Sequence, residues 1–354
     1  MKFFLKIAGA TIALVVATIL IGPSFVNWNR YKSEITEPVQ KLTGRKLEIA
    51  GDVSFSILPS PVFSAQGLQF ENIEGGQAPA LACVKSLEIN VALLPLLGGR
   101  VDVTSITLNE PTIALEVLGD GRQNWTFERP NQKDPKDVPS ARQDDGAPID
   151  ISFSKVAIRG GTVSLYQAAT DFSYQLGDID ATVSATTLDG PFAAKGGVVF
   201  NQAPISFEVL VGNLKSGRAV PVSFSLGLGE AGAKLAFAGW ANEASVDARF
   251  NGRLTVKGEN LASAIEDIAG AAGQNEVSPA KGLDPLRSPF SGEAQVVTSP
   301  NELRVRNISL MLGESVATGA FQATFEDGKQ FEGSLDVASI DLDSWLSGWL
   351  GGGP

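Results

Sequence analysis

Residues 47–57 have the sequence Leu-Glu-Ile-Ala-Gly-Asp-Val-Ser-Phe-Ser-Ile, in which apolar and polar side chains alternate. Successive side chains of a β-strand point to opposite faces, so this period of two predicts a half-buried strand. Gly51 is the one gap on the apolar face, and a hairpin folded at Gly51-Asp52 is the alternative to one long strand.

The same alternation recurs along most of the chain, and it predicts about sixteen one-faced strands with few short helices. Such strands form either a closed sandwich or barrel, or a long curled antiparallel sheet whose apolar face stays open as a groove. The alternation fits both architectures. The candidate groove residues are Leu47, Ile49, Val53, Phe55, Ile57, Leu87, Ile89, Val91, Leu93, Ile113, Leu115 and Val117.

Two segments have the period of a helix instead. Tyr31, Ile35, Val39 and Leu42 form a stripe that predicts a helix ending at Gly44, either plugging the end of a β domain or lying on a membrane. The following Arg45-Lys46 pair is interpreted equally well as a lipid contact or as a hinge. A second helix is predicted at residues 261–272.

The N-terminus predicts a membrane anchor at residues 1–27. Residues 7–27 carry no charge, and about 20 apolar residues in a helix span a bilayer. Lys2 and Lys6 precede this span and predict a cytoplasmic N-terminus, with the bulk of the chain in a periplasm and Trp28 and Tyr31 at the membrane interface. The alternative is a cleaved secretory signal.

Domain organisation follows from composition. Residues 128–148 are rich in proline and charge, which predicts a polar linker. It would separate a helix-plus-β unit at 28–127 from a second β-rich unit at 149–354. The lone Cys83 is expected to be buried, because an exposed unpaired thiol is a liability in an oxidising compartment.

Composition also argues against several classes of function. The net charge of −11 is the wrong sign for a nucleic-acid partner. The absence of histidine removes the usual general base and commonest metal ligand, so we expect no enzyme, cofactor or metal site. Residues 227–232 match G-x-G-x-x-G, but an alternating strand follows, so we interpret them as a hairpin turn.

The order of several short motifs resembles the AsmA family of bacterial envelope proteins. The resemblance is strong over residues 1–127 and looser beyond the linker. The motifs are NRY at 29–31, LTGRKLEIAGDV at 42–53, LPSP at 58–61, Asn72, LLPLLGG at 93–99, NEP at 109–111, GDG at 119–121 and NW at 124–125. Many members continue for hundreds of residues beyond this point, so a truncated second unit is one expectation.

This resemblance implies an inner-membrane-anchored periplasmic protein of outer-membrane biogenesis, grouped with bridge-like lipid-transfer proteins that have a chorein-like N-terminus. The implied partners are the membrane and phospholipid. The alternative is a scaffold that contacts outer-membrane assembly proteins through exposed strand edges. Neither role needs a catalytic residue.

Overall fold

The protein is mainly β, as the alternation predicts. The computed structural model describes residues 22–98, 100–127, 155–187, 189–214, 218–229, 232–243, 248–271, 284–325 and 330–339. The chain forms two compact units, Met1–Asp180 and Ala181–Pro354. The linker predicted at 128–148 lies outside the described residues, and the predicted domain division remains a prediction.

Within the described residues the helices are few and short, as expected. They are α1 (Lys32–Thr43), α2 (Leu93–Leu97), α3 (Leu261–Ala271) and three 3₁₀ helices at Gly22–Phe25, Trp28–Tyr31 and Asp284–Arg287. The strands of the first unit are β1 (Leu47–Ile49), β2 (Val53–Ser56), β3 (Val62–Phe70), β4 (Ala82–Val91), β5 (Val103–Val117), β6 (Val156–Gln167) and β7 (Phe172–Ala185), which continues into the second unit. The second unit contains β8 (Phe192–Phe200), β9 (Ala203–Val211), β10 (Val220–Leu228), β11 (Ala233–Ala241), β12 (Phe250–Gly258), β13 (Phe290–Ser299), β14 (Glu302–Leu312), β15 (Ser315–Thr324) and β16 (Gln330–Ser339).

The strand order confirms the open-sheet prediction. Hydrogen-bonded neighbours follow one path that starts at β1, passes through β3 to β15 in chain order and ends at β16, with β2 beside β3. The path has two ends, so the sheet is not a closed barrel. β1 and β2 both pair with β3, so residues 47–57 form one interrupted strand and not a hairpin.

One strand pair contradicts the prediction of an antiparallel sheet. β5 and β6 run parallel, with Ile113 opposite Val163 and Leu115 opposite Leu165. A parallel pair cannot be joined by a tight turn and needs a connection of a dozen or more residues. The long segment between Val117 and Val156 meets that requirement.

Left-handed backbone recurs in the strands of the first unit. Gly67 in β3, Glu110 in β5, Gly160 in β6 and Asp178 in β7 all have a φ between 46° and 63°. The cross-strand register is continuous at Gly67, Glu110 and Gly160, so these residues change the phase of the alternation without the extra residue of a β-bulge. In β5 the apolar residues opposite Ile89 and Leu87, Ile106 and Leu108, are even-numbered, whereas Ile113, Leu115 and Val117 after Glu110 are odd-numbered.

Helix α1 covers the edge of the first unit and has the predicted stop. Gly44 adopts a φ of 74°, and its N–H donates to the carbonyl of Gln40, which ends the helix. Ile35 of this helix packs on a core of Ile49, Val53 and Ala65. The plugging role predicted for the helix therefore matches its position.

Two expectations for the N-terminal half have different outcomes. The described residues contain no helix long and apolar enough to span a membrane. Residues 1–21, which make up most of the predicted anchor, lie outside the described residues. The expectation of a buried Cys83 is wrong, because this thiol is exposed on β4, where alternation turns it away from Ala82 and Val84.

Candidate functional site

One face of the second unit is apolar in every strand from β8 to β16. Cross-strand register defines two complete rows of directly opposed residues, each entirely apolar. The first row is Gly196, Phe207, Leu226, Leu235, Val256, Gly292, Leu310, Ala317 and Val337. The second is Phe192, Val211, Val222, Gly239, Gly252, Val296, Val305, Phe321 and Gly333. We call these two rows the apolar face.

The reverse side of the same strands is polar. A row displaced by one residue from the first apolar row contains a single apolar member, Ala236. Its members are Lys195, Glu208, Ser225, Ala236, Thr255, Glu293, Ser309, Thr318 and Asp336. Side chains alternate between faces, so the two sides of the sheet differ sharply in polarity.

The apolar face is partly open to solvent. Leu310 is 39% exposed and Val337 is 48% exposed, whereas Val296 near the middle of the second row is 8% exposed. Soluble proteins rarely leave a contiguous apolar surface uncovered unless it binds something. Nine strands spaced about 4.8 Å apart give this face a width of about 38 Å.

Helix α3 turns one end of the apolar face into a cavity of about 590 Å³. The helix contributes Leu261, Ala264, Ile265 and Ile268, and the first apolar row supplies Leu235, Val256, Leu310, Ala317 and Val337. Only Lys234, Ser291 and Ser315 of its lining residues are polar. The volume is that of an ordinary ligand site, and the lining suits an apolar chain.

Two contacts fix α3 at this end of the sheet. The side-chain amide of Asn201 donates a 2.7 Å hydrogen bond to the carbonyl of Ala271. Gly229, with a φ of 62°, lies so close to Asp267 that a Cβ at this glycine would overlap the carboxylate. The match of 227–232 to a nucleotide-binding motif is therefore structural, since the strands that flank it, β10 and β11, pair antiparallel.

The groove residues predicted from sequence lie in the first unit, and some of them are covered. Ile49 and Val53 are 6% and 4% exposed beneath Trp28 and Ile35. Trp28 also contacts Phe55, with ring centroids 5.5 Å apart. Ile57 is 7% exposed. The remaining members are half-buried: Leu47, Phe55, Leu87, Ile89, Val91, Leu93, Ile113, Leu115 and Val117.

The half-buried members lie partly on shared apolar rows. Leu87 is opposite both Ala65 and Leu108, and Ile89 is opposite Phe63 and Ile106. Their assignment to a lipid path remains a prediction. So does the membrane-interface role of Trp28 and of Tyr31, which is 47% exposed, while Lys2 and Lys6 lie outside the described residues.

Several residues of the sequence motifs meet in a buried polar network. Asn124 is fully buried, and its amide donates to Oδ1 of Asn72 and to the carbonyl of Ala114. Glu116 is 5% exposed and accepts from the N–H groups of Gln77 and Ala78 at 3.0 and 2.7 Å. The network joins loop 71–80, the end of β5 and the hairpin after it.

Arg45 attaches the end of α1 to the same hairpin. Its guanidinium donates to the carbonyls of Asn124 and Thr126 and stacks 4.8 Å from the ring centroid of Phe127. Burial lowers the pKa of Arg45, and the nearby Glu71 opposes this effect. Arg45 is therefore buried in a structural contact, while the adjacent Lys46 is exposed. The lipid-contact and hinge interpretations of the Arg45-Lys46 pair both remain predictions.

The sequence model of the AsmA family matches residues 1–276. The chain belongs to the AsmA family. A search of curated proteins found no match. The AsmA match includes both the polar network and α3, whereas β13 to β16, which complete the apolar cavity, follow the matched residues.

Sequence reasoning placed the candidate groove in the first unit and missed the cavity beneath α3. The alternating strands after residue 190 and the helix at 261–272 were both visible in the sequence. What linked them was the cross-strand register, which brings Leu235 of β11 opposite Val256 of β12. Register between paired strands is not readable from alternation alone.

Proposed function

We propose that this AsmA-family protein is anchored in the inner membrane and binds phospholipid acyl chains on its periplasmic apolar face, aiding lipid transport in outer-membrane biogenesis. The observation that carries the proposal is the uninterrupted apolar character of two rows across β8 to β16, with exposed members such as Val337. Family membership fits the same role.

Physical magnitudes favour a binding role over a catalytic one. Moving a two-chain phospholipid through water exposes about 30 methylenes at about 0.8 kcal/mol each, a total of about 25 kcal/mol. An apolar surface that receives the chains lowers this barrier without any chemical step. We therefore propose that the protein is not an enzyme and needs neither cofactor nor nucleic acid.

A charge on the apolar face tests lipid binding. Leu335→Asp changes a cavity-lining residue of β16 that is already 58% exposed, so the fold should tolerate it. We expect photo-crosslinking of a diazirine-labelled phospholipid to fall at least about fivefold, since an acyl chain does not pack against a carboxylate. Ser334→Asp, on the opposite face of β16, is the matched control.

Both variants are compared with wild-type full-length protein by thermal unfolding and by lipid adduct. A folded Leu335→Asp protein with little adduct supports the proposal. Absence of any lipid adduct in the wild-type protein contradicts it.

The proposed topology has its own test. A reporter enzyme that is active only in the periplasm, fused after Asp150, should be active if Lys2 and Lys6 hold the N-terminus in the cytoplasm. Activity of a cytoplasm-specific reporter at the same position would contradict the proposed orientation.

A scaffold for outer-membrane proteins is the second candidate, and β16 favours it. Every residue of β16 is exposed, including Phe331 at 63%, and an exposed edge strand can pair with another chain. Ser334→Lys, which places a charge on the polar side of this edge strand, should then lower the amount of folded outer-membrane β-barrel protein in cells while leaving the lipid adduct intact. Unchanged barrel protein would remove this candidate.

A further inference from the structure

A second cavity adjoins the apolar one at the rim of the second unit. Its volume is about 510 Å³, and Lys234, Lys257, Glu259 and Ser291 supply its polar side chains. Lys234 and Ser291 also line the apolar cavity, as do Phe290 and Met311. The two cavities therefore share lining residues at the ends of β11, β13 and β14, where the polar side of the sheet adjoins the apolar face.

The lysines of the polar cavity are held next to each other by strand register. Lys234 of β11 is directly opposite Lys257 of β12, which in turn is opposite Ser291 of β13. Directly opposed residues have Cβ atoms about 5 Å apart, and like charges at this spacing repel. Neither lysine forms an ion pair with the described residues.

An anion between the two ammonium groups would relieve their repulsion. Lysine is a compact point charge with three donors and binds phosphate readily. Its aliphatic stem can lie along apolar surface while its charge stays in water, which fits the position of Lys234 on the boundary of both cavities. Glu259 is the one carboxylate among the lining residues, so the cavity carries a net positive charge.

We propose that Lys234 and Lys257 bind the phosphate of a phospholipid headgroup whose acyl chains occupy the adjoining apolar cavity. This inference rests on the proposed lipid-binding function and adds to it a preference for anionic, phosphate-bearing lipids. Ser291 supplies a hydroxyl donor beside the pair.

The test uses two photoactivatable probes with identical diazirine-labelled acyl chains, phosphatidylglycerol and diacylglycerol, on the purified full chain. The double variant Lys234→Met and Lys257→Met keeps the apolar stems and removes both charges. It should weaken phosphatidylglycerol crosslinking about tenfold and leave diacylglycerol crosslinking unchanged. Lys195→Met, a charge change on the same polar side of the sheet, is the control and should change neither.

Glu259→Gln should change phosphatidylglycerol crosslinking in the direction opposite to the double lysine variant. Removing the one carboxylate of the lining should strengthen phosphatidylglycerol crosslinking, a gain that a merely structural role would not produce. High salt should weaken the wild-type phosphatidylglycerol adduct more than that of the double variant.

The outcomes separate the two proposals. If wild type and the double variant crosslink phosphatidylglycerol equally, the headgroup inference is overturned and acyl-chain binding stands. If wild type crosslinks neither probe, both are overturned. If inorganic phosphate binds to wild type and not to the double variant, while the lysines do not affect the lipid adduct, the site belongs to free phosphate and the lipid headgroup is excluded.

Discussion

The side-chain amide of Asn124 donates a 2.9 Å hydrogen bond to Oδ1 of Asn72, 52 positions earlier in the chain. Asn72 in turn donates to Glu116, whose carboxylate holds the N–H groups of Gln77 and Ala78. A single buried side chain thus connects three separate segments. Loss of one member of such a buried network lowers the stability of the fold. The remaining polar groups lose a hydrogen-bond partner and have no water to replace it.

Asn124→Ala should therefore destabilise the protein by about 2–3 kcal/mol, since it leaves buried donors and acceptors without partners. The measurement is denaturant unfolding. Gln123→Ala changes the adjacent, exposed side chain and should cost less than about 0.5 kcal/mol. Equal losses in the two variants would show that the network contributes nothing specific.

Trp28→Ala should lower the free energy of unfolding by about 2 kcal/mol. The indole packs on Ile49 and Val53, and its centroid lies 5.5 Å from that of the Phe55 ring. Tyr31→Ala is the control, as Tyr31 is 47% exposed and should cost much less. Thermal unfolding of both variants distinguishes a core role for Trp28 from a role confined to the membrane interface. In the latter case the two substitutions would have similar small effects.

Gly229→Ala should loosen α3, because the new Cβ would overlap the carboxylate of Asp267 and the residue has a φ of 62°. Gly232→Ala shares the positive φ, 69°, but its Cβ meets no atom within 4 Å. We expect Gly232→Ala to lower the free energy of unfolding by about 1 kcal/mol, and Gly229→Ala to lower it clearly more. Hydrogen exchange of the α3 amides provides the measurement, and equal effects would argue against tight packing of α3 at this turn.

The pKa of Asp120 should lie below its usual range, because the backbone N–H and then the guanidinium of Arg122 donate to its carboxylate. A depressed pKa adds stability above the unfolded value of about 3.9, and this is lost as pH falls through the folded value. The carboxylate is exposed, so the effect on unfolding should be small. NMR titration of Asp120 in wild type and in Arg122→Gln should show the pKa rising in the variant, and an unchanged pKa would contradict this assignment.

Fold class followed from local pattern, since half-buried strands require a period of two. The strand count, both longer helices and the stop at Gly44 were predicted from the sequence. The parallel β5–β6 pair was not, because neither strand differs in pattern from an antiparallel one. A connection long enough to cross over was visible at 128–148, but the pattern cannot tell which strand lies next to which.

A change in the phase of the alternation also hid some apolar residues of the first unit from the sequence prediction. Ile106 and Leu108 of β5 lie on the same apolar rows as Ile89 and Leu87, but a strict alternation counted back from Ile113 excludes them. Glu110, with a φ of 46°, is the cause. Glutamate gives no signal for left-handed backbone, unlike the glycines of β3 and β6.

The apolar face also has a consequence for the thermodynamics of unfolding. Heat capacity rises on denaturation mainly because water newly contacts hydrocarbon, and folded chains typically gain about 12–15 cal/mol/K per residue. Residues such as Leu310, Val337 and Leu335 already meet solvent in the native state, so their exposure adds little. Calorimetry should give a smaller increment per residue than this average, and with it a flatter dependence of stability on temperature. Acyl chains bound on the apolar face would restore the ordinary curvature of the free energy of unfolding with temperature.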